Sequence, residues 1–174
     1  ETPGPGFFKQ KRVGRNGRYF YIHKLRSMYI DAEERKKELM AQNEMNGLMF
    51  KMENDPRITK TGAFLRKTSL DEFPQFINVL RGEMSVVGPR PHMLKHTEEY
   101  AQVINKFMVR HFVKPGITGW AQVTGYRGET KELWQMEGRV SRDIWYIEHW
   151  TFMLDLYIIY KTVYNAVHGE KEAY

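Results

Sequence analysis

Phe7–Val13 reads FFKQKRV and Arg18–Leu25 reads RYFYIHKL, and between them stands Gly14-Arg15-Asn16-Gly17. Both flanks are rich in aromatic and β-branched residues. Asn-Gly tolerates the positive φ that a tight reversal needs, so the stretch is predicted as a β-hairpin. Most of the chain downstream carries helical spacing. The predicted fold is therefore α+β, or loosely α/β: a small sheet built on the N-terminal hairpin, surrounded by helices, with amphipathic interfacial helices toward the C-terminus. Near the end of the hairpin, Lys24 and Arg26 share one face of an extended strand. Spacing does not decide whether they carry function or are the solvated charges of an edge strand.

The chain has 174 residues, 41% of them hydrophobic and 28% charged, which suits one domain, residues 1–174, with a core of its own. A formal net charge of +6 makes phosphate-bearing partners plausible: nucleotide, nucleic acid or anionic lipid. The absence of cysteine excludes disulfides, thiolate metal ligands and thiol catalysis. No apolar run is long enough to span a bilayer. Glu1-Thr2-Pro3-Gly4-Pro5-Gly6 reads as a connector arriving from a preceding segment.

Thr61 to Pro91, TGAFLRKTSLDEFPQFINVLRGEMSVVGPRP, concentrates the charges with chemical potential. Asp71 and Glu72 stand side by side at a predicted helix start, with Arg66 and Lys67 before them and Arg90 after. A carboxylate pair at the positive end of a helix, with guanidinium groups at hand, suits a metal-bridged phosphate. The plainer reading uses the same residues. Thr61 caps a short helix through Lys67, Ser69 and Glu72 have capping-box spacing, and Asp71 as the cap would suit Pro74 better. On spacing alone that plainer reading is preferred: Asp71 an N-cap, Glu72 a dipole-matched surface acid. Phe73, Phe76, Ile77 and Leu80 are predicted as the buried stripe, and Gly82 as the helix stop. Ser85 to Pro91 is predicted as a strand entering a turn in which Pro89 and Pro91 hold Gly88 and Arg90 extended. Arg90 is then either a preorganised anion clamp or a loop arginine facing water.

Asp31 to about Met45 is predicted helical, with Asp31 and Glu34 as a capping box; Gly47 ends it, Leu48–Met52 is a short strand and Asn54-Asp55-Pro56 a turn. His92 to about Phe112 is predicted as a helix with Leu94, Ala101, Ile104, Phe107 and Met108 inward. His92, His96 and His111 are too scattered for a zinc site and read as solvated or core-edge residues. Lys114–Trp120 turns into an apolar segment ending at Val123. Thr124–Thr130 is glycine-bearing but lacks the Gly-Lys-Ser/Thr ending of a P-loop. Thr130 to His168 is predicted helical, broken near Gly138–Ser141 and Trp150–Thr151. Trp145, Trp150, Tyr157, Tyr160 and Tyr164 have the amphipathic character favoured at a membrane interface. Asp143, Glu148, His149, Asp155 and Lys161 prevent a span, so this region packs inward or lies in the interface plane.

Four strings in this order, PGPGFFKQKRVGRNGRYFYIHKLRSM, DPRITKTGAFLRKTSLDEFPQFINVLRGEMSVVGPRP, KPGITGWAQVTGYRGET and YIEHWTFMLDLYIIYKTV, closely resemble the bacterial sugar transferases, the monotopic phosphoglycosyl transferases. The resemblance covers essentially the whole chain. It implies transfer of a sugar-1-phosphate from a UDP-sugar to undecaprenyl phosphate at the cytoplasmic face of the bacterial inner membrane, with Mg²⁺ and a covalent phosphosugar–aspartate intermediate, releasing UMP and initiating capsule, exopolysaccharide or O-antigen synthesis. Position by position it implies Asp71 as nucleophile and Glu72 as its partner in metal binding or proton transfer. Lys24, Arg66 and Arg90 fall on phosphate-contacting positions, and Asp143 and Asp155 on acidic positions of structural character. Arg127 is a further candidate phosphate contact, in a loop similar to that of members using UDP-glucose or UDP-galactose. The implied partners are that UDP-sugar, undecaprenyl phosphate and inner-membrane lipid, with a homodimer left open and no nucleic acid. The family's re-entrant membrane helix is expected to precede the hairpin and is missing from these 174 residues.

Two alternatives belong to other classes. A non-catalytic membrane-surface scaffold would keep the fold without needing the intact Asp71-Glu72 pair and Arg90. A nucleic-acid-binding module rests on positive charge alone, with no binding motif.

Overall fold

The structure, a computed structural model, describes residues 1–39, 54–128 and 132–168, apart from the side chains of Lys95 and His96. The expected strand at Leu48–Met52, the helix stop at Gly47, His96 and the end of the Thr124–Thr130 loop lie outside them. The chain divides into two compact units: Glu1–Lys9 with His23–Pro74, and Gln10–Ile22 with Gln75–Tyr174.

The hairpin forms as predicted, from β1 (Phe7–Val13) and β2 (Tyr19–Leu25). Its reversal is a 3₁₀ turn in which Asn16 takes φ 55° and Gly17 φ 74°, the two positive dihedrals that this dipeptide tolerates.

In the first unit, α1 (Ala32–Leu39) follows Asp31, whose carboxylate accepts from Arg35 Nε at 2.8 Å one turn on. α2 (Lys60–Lys67) is capped by Thr59, not Thr61. Thr59 Oγ1 accepts from the Gly62 N–H at 2.9 Å, and the Glu1 carboxylate takes the Lys60 and Thr61 N–H groups at 2.8 Å each. Three otherwise orphaned donors of the first turn are thereby satisfied. Arg26 turns away from ligand chemistry: its guanidinium donates to the carbonyls of Pro5 and Thr2 at 2.8 and 3.0 Å.

In the second unit, α3 (Gln75–Leu80) opens directly after Pro74, where a missing N–H costs nothing, and ends at Gly82, φ 75°. Its expected stripe is inverted. Leu80 is 89% exposed, Phe76 and Ile77 are also exposed, and Phe73 ahead of the helix is 64% exposed. Gln75 and Asn78 are buried in their place. Asn78 Nδ2 donates to the Tyr21 carbonyl at 2.8 Å and to Glu83 Oε2 at 2.6 Å. Periodicity identifies an apolar face but not which side meets the core; here the Asn78 amide anchors the polar side, with Gln75 buried on the same helix.

β3 (Ser85–Val87) pairs in parallel with β4 (Gly116–Thr118), Ser85 opposite Gly116 and Val87 opposite Thr118. The backbones beyond β3 and at β4 touch: a Cβ on Gly116 would collide with the Gly88 amide. The predicted helix from His92 to Phe112 is two pieces, α4 (Leu94–Val103) and a 3₁₀ segment Phe107–Phe112. Extended backbone at Ile104 and a positive φ at Lys106 separate them. Ile104 and Phe107 are buried as expected; Met108, beyond the break, is exposed because the break resets the helical register, and Ala101 on α4 is exposed as well.

α5 (Leu133–Glu148) runs unbroken through Gly138, contrary to expectation. The glycine is there for contact, since a Cβ would strike the Tyr126 ring. The break at Trp150–Thr151 is present, and α6 (Phe152–His168) follows it. One core cluster joins Val87, Val123, Tyr146 and Ile158, and another joins Phe20, Ile22 and Met84. No helix among the described residues is long and apolar enough to cross a membrane.

Candidate functional site

Chain direction changes sharply just before the acid pair. Ser69 takes φ 57°, ψ 16°, a left-handed conformation costing an L-residue about 1–2 kcal/mol. The chain thus leaves α2 and enters a 3₁₀ turn, Leu70–Glu72, closed by Glu72 N–H to Ser69 O at 3.2 Å and Phe73 N–H to Leu70 O at 3.1 Å. Asp71 lies inside this turn, ahead of Pro74, so it is not the N-cap of α3, and Ser69 makes no side-chain cap either. The preferred reading from spacing is therefore overturned: proline places the helix start beyond both acids.

Glu72 meets Lys24 across the first unit, with Nζ 2.7 Å from Oε1. The two side chains are only 17% and 20% exposed, so the pair is shielded well beyond the ordinary surface case. Asp71 beside them is half-buried. Arg66 stands exposed in the last turn of α2, its carbonyl receiving the Ser69 N–H at 3.1 Å. Lys24, Arg66, Asp71 and Glu72 thus belong to one unit, and the structure brings Lys24 and Glu72 into contact. Lys24 was expected as a phosphate contact; what the structure shows is its contact with Glu72.

No three His, Asp or Glu side chains among the described residues converge to hold a metal unaided. Mg²⁺ binds through one or two carboxylates and takes its other oxygens from phosphates and water. Adjacent Asp71 and Glu72 fit that limited donor set.

Arg90, Arg127, Asp143 and Asp155 belong to the second unit. Arg90 is half-buried between two buried prolines, rather than a loop arginine standing in water. Its carbonyl accepts from Arg110 Nη2 at 2.8 Å. Arg127 is half-buried at the end of the wide helical turn Gln122–Tyr126. Asp155 accepts from the Tyr146 hydroxyl at 2.7 Å and from Trp150 Nε1 at 3.1 Å, joining α5 to α6. Burial and that carboxylate push the Tyr146 phenol upward.

The sequence reading missed the chemistry around Asp143. Arg110, Arg139 and Asp143 are all buried. Arg110 Nη2 lies 2.7 Å from Asp143 Oδ2 as an ion pair, while its directed hydrogen bond goes to the Arg90 carbonyl. Burial pushes the Asp143 carboxyl up, against the pull of Arg110 and Arg139. Arg139 is pushed down to about 10 by burial and by the like charges of Arg110 and Arg90. Arg110 Nη1 also lies 2.9 Å from His92 Nδ1. His111 is pushed down to about 4 by burial and the Arg110 charge. His92 and His111 are thus buried partners of an ionic cluster, more enclosed than core-edge residues. The one sequence signal was Arg139 and Asp143 at i,i+4 spacing on α5.

A family model described as bacterial sugar transferase matches residues 1–169, and the chain belongs to that family. It is similar to a UDP-glucose:undecaprenyl-phosphate glucose-1-phosphate transferase of Xanthomonas campestris pv. campestris, 49% identical over 173 residues, covering 99% of this chain and 34% of the relative. It is also similar to Galactosyl transferase CpsE of Streptococcus agalactiae serotype III (strain NEM316), 49% identical over 160 residues, covering 92% and 34%. A UDP-N-acetylgalactosamine-undecaprenyl-phosphate N-acetylgalactosaminephosphotransferase of Aeromonas hydrophila is 38% identical over 170 residues, covering 97% and 37%. The chain spans about a third of the length of these curated relatives.

Proposed function

We propose that this chain carries the catalytic residues of a phosphoglycosyl transferase that moves a hexose-1-phosphate from a UDP-sugar, glucose or galactose, to undecaprenyl phosphate. The observation that carries the reading is the acid pair in its strained turn, Glu72 held by Lys24 and Asp71 placed inside the Leu70–Glu72 turn ahead of α3. Asp71 attacks the β-phosphorus, an Oδ–P bond forms, the P–O bond to UMP breaks, and UMP leaves. A phosphate oxygen of the lipid acceptor then attacks the same phosphorus and returns the aspartate as carboxylate. One difficult displacement becomes two.

Glu72 assists as a metal or proton partner, and Lys24 fixes its orientation. Arg66, Arg90 and Arg127 spread the charge that builds on the phosphoryl oxygens. Asp71 and Glu72 would hold Mg²⁺, which when bound neutralises diphosphate charge. The product would initiate a capsule, exopolysaccharide or O-antigen unit. Full-length protein in detergent, given undecaprenyl phosphate and a panel of UDP-sugars, is expected to release UMP with one of them; no release with any would contradict the assignment. Arg90→Ala is expected to cut that rate about a hundredfold with an unchanged melting temperature. A near-normal rate would reduce Arg90 to a turn residue.

The reaction's lipid acceptor implies work at a membrane surface, which we place at the cytoplasmic face of the inner membrane, and the exposed stripe of α6 supports contact with a membrane surface. Phe152, Leu156, Tyr160, Val163 and Val167 follow helical spacing and are all exposed, Val167 by 75%. Such a stripe suits lying in a lipid interface. Trp145 is a poorer probe, because it stacks on Trp120 at 5.0 Å. Replacing Phe152, Val163 and Val167 together with Ser is expected to lower flotation with anionic liposomes by roughly tenfold to a hundredfold. Unchanged flotation would remove α6 from the membrane surface.

A further inference from the structure

Two candidate phosphate contacts, Arg90 and Arg127, sit on different loops of the second unit, and a buried arginine grips the backbone of each. Arg110 donates to the Arg90 carbonyl at 2.8 Å. Arg139 donates to the Tyr126 carbonyl at 3.0 Å through Nε and to the Gly128 carbonyl at 2.7 Å through Nη2, so its planar fork brackets Arg127 on both sides. The same loop is held from α5 twice more: Gly138 admits the Tyr126 ring, and the Arg142 guanidinium lies 3.9 Å from that ring's centroid. Between the two arginines lies one carboxylate, Asp143, paired with Arg110 at 2.7 Å and within the field of Arg139.

Burying two guanidiniums against one carboxylate is costly, and a hydrophobic trio of the same volume would often serve stability as well. What such a trio would lack is direction. A guanidinium fork fixes the carbonyls it binds in angle as well as distance, which lysine's ammonium cannot do.

Resting on the reading of Arg90 and Arg127 as phosphate contacts, we infer that Arg110, Asp143 and Arg139 form a buried brace of positioning residues that sets the spacing between those contacts for the diphosphate of a nucleoside diphosphate. The brace touches no substrate. It holds the Pro89–Pro91 turn and the Tyr126–Gly128 loop in one register, so that two arginines distant in sequence present themselves together.

The test is an equilibrium titration of full-length protein with UDP. Arg127→Ala and Arg139→Lys, each alone, are expected to weaken UDP binding about tenfold. In the Arg139→Lys background, Arg127→Ala is expected to have almost no further effect, because the contact has already lost its place. Arg90→Ala should keep its full penalty there. A general loss of stability would instead leave the Arg127→Ala penalty unchanged in both backgrounds, and that result overturns the brace while leaving the phosphate reading intact. An Arg127→Ala variant that binds UDP like the parent overturns both. If Arg139→Lys loses its cooperative thermal transition, Arg139→Gln removes the buried charge and the fork and carries the same comparison.

Discussion

Asp71→Asn is expected to abolish UMP release from the UDP-sugar, a loss of roughly four orders of magnitude or more, as removal of a covalent nucleophile commonly brings. The substitution is nearly isosteric but supplies a neutral amide oxygen, which cannot form the acyl phosphate. Local geometry makes the result informative. Had Asp71 been a helix cap, asparagine would cap about as well and the variant would report little. It sits inside the Leu70–Glu72 turn, whose closing bonds run between backbone groups. The variant should therefore keep the parent's melting temperature while losing turnover. Retained turnover would exclude a covalent route through this residue.

The second large effect concerns stability. Asp143→Ala removes the carboxylate from a site where Arg110 is only 2% exposed, leaving that guanidinium buried without its counter-charge. Breaking a buried pair from one side costs about 3–5 kcal/mol. Against a total stability of about 5–15 kcal/mol, that is a large share. For a chain of this size it corresponds to a fall in melting temperature of roughly 10 °C, measurable by calorimetry. A shift of a degree or two would mean that the ion pair contributes little and that Asp143 is replaceable by water.

Much of this architecture was legible before any coordinates. The hairpin could be read because Asn16 and Gly17 announce their own dihedrals, and dihedral preference is a local property. The helix stop at Gly82, the stretch entering the Pro89–Pro91 turn and the break at Trp150–Thr151 could be read for the same reason. The face of α3 could not. Phe76, Ile77 and Leu80 have the spacing of a core stripe, yet burial depends on what lies across the helix, and Asn78 holds the polar side inward through bonds to Tyr21 and Glu83. Gly138 looked like a helix break because its reason for being glycine, the Tyr126 ring, lies elsewhere in the chain.

At the candidate site, the residues proposed to meet substrate were visible as motif strings. The groups beneath them were not. Arg110 and Arg139 look like surface cations in sequence, and only the fold shows them buried and bound to the carbonyls of Arg90, Tyr126 and Gly128. Lys24 was visible as a cation on a strand, but its contact with Glu72 spans 48 residues and no spacing rule links them.

The most direct test asks where the phosphosugar goes. Full-length protein is incubated with its UDP-sugar in the absence of lipid acceptor, quenched in acid, digested and analysed by mass spectrometry. A hexose-phosphate adduct is expected on the peptide containing Asp71, absent from Asp71→Asn and discharged when undecaprenyl phosphate is added. An adduct on a different side chain, or rapid UMP formation with none at Asp71, would contradict it.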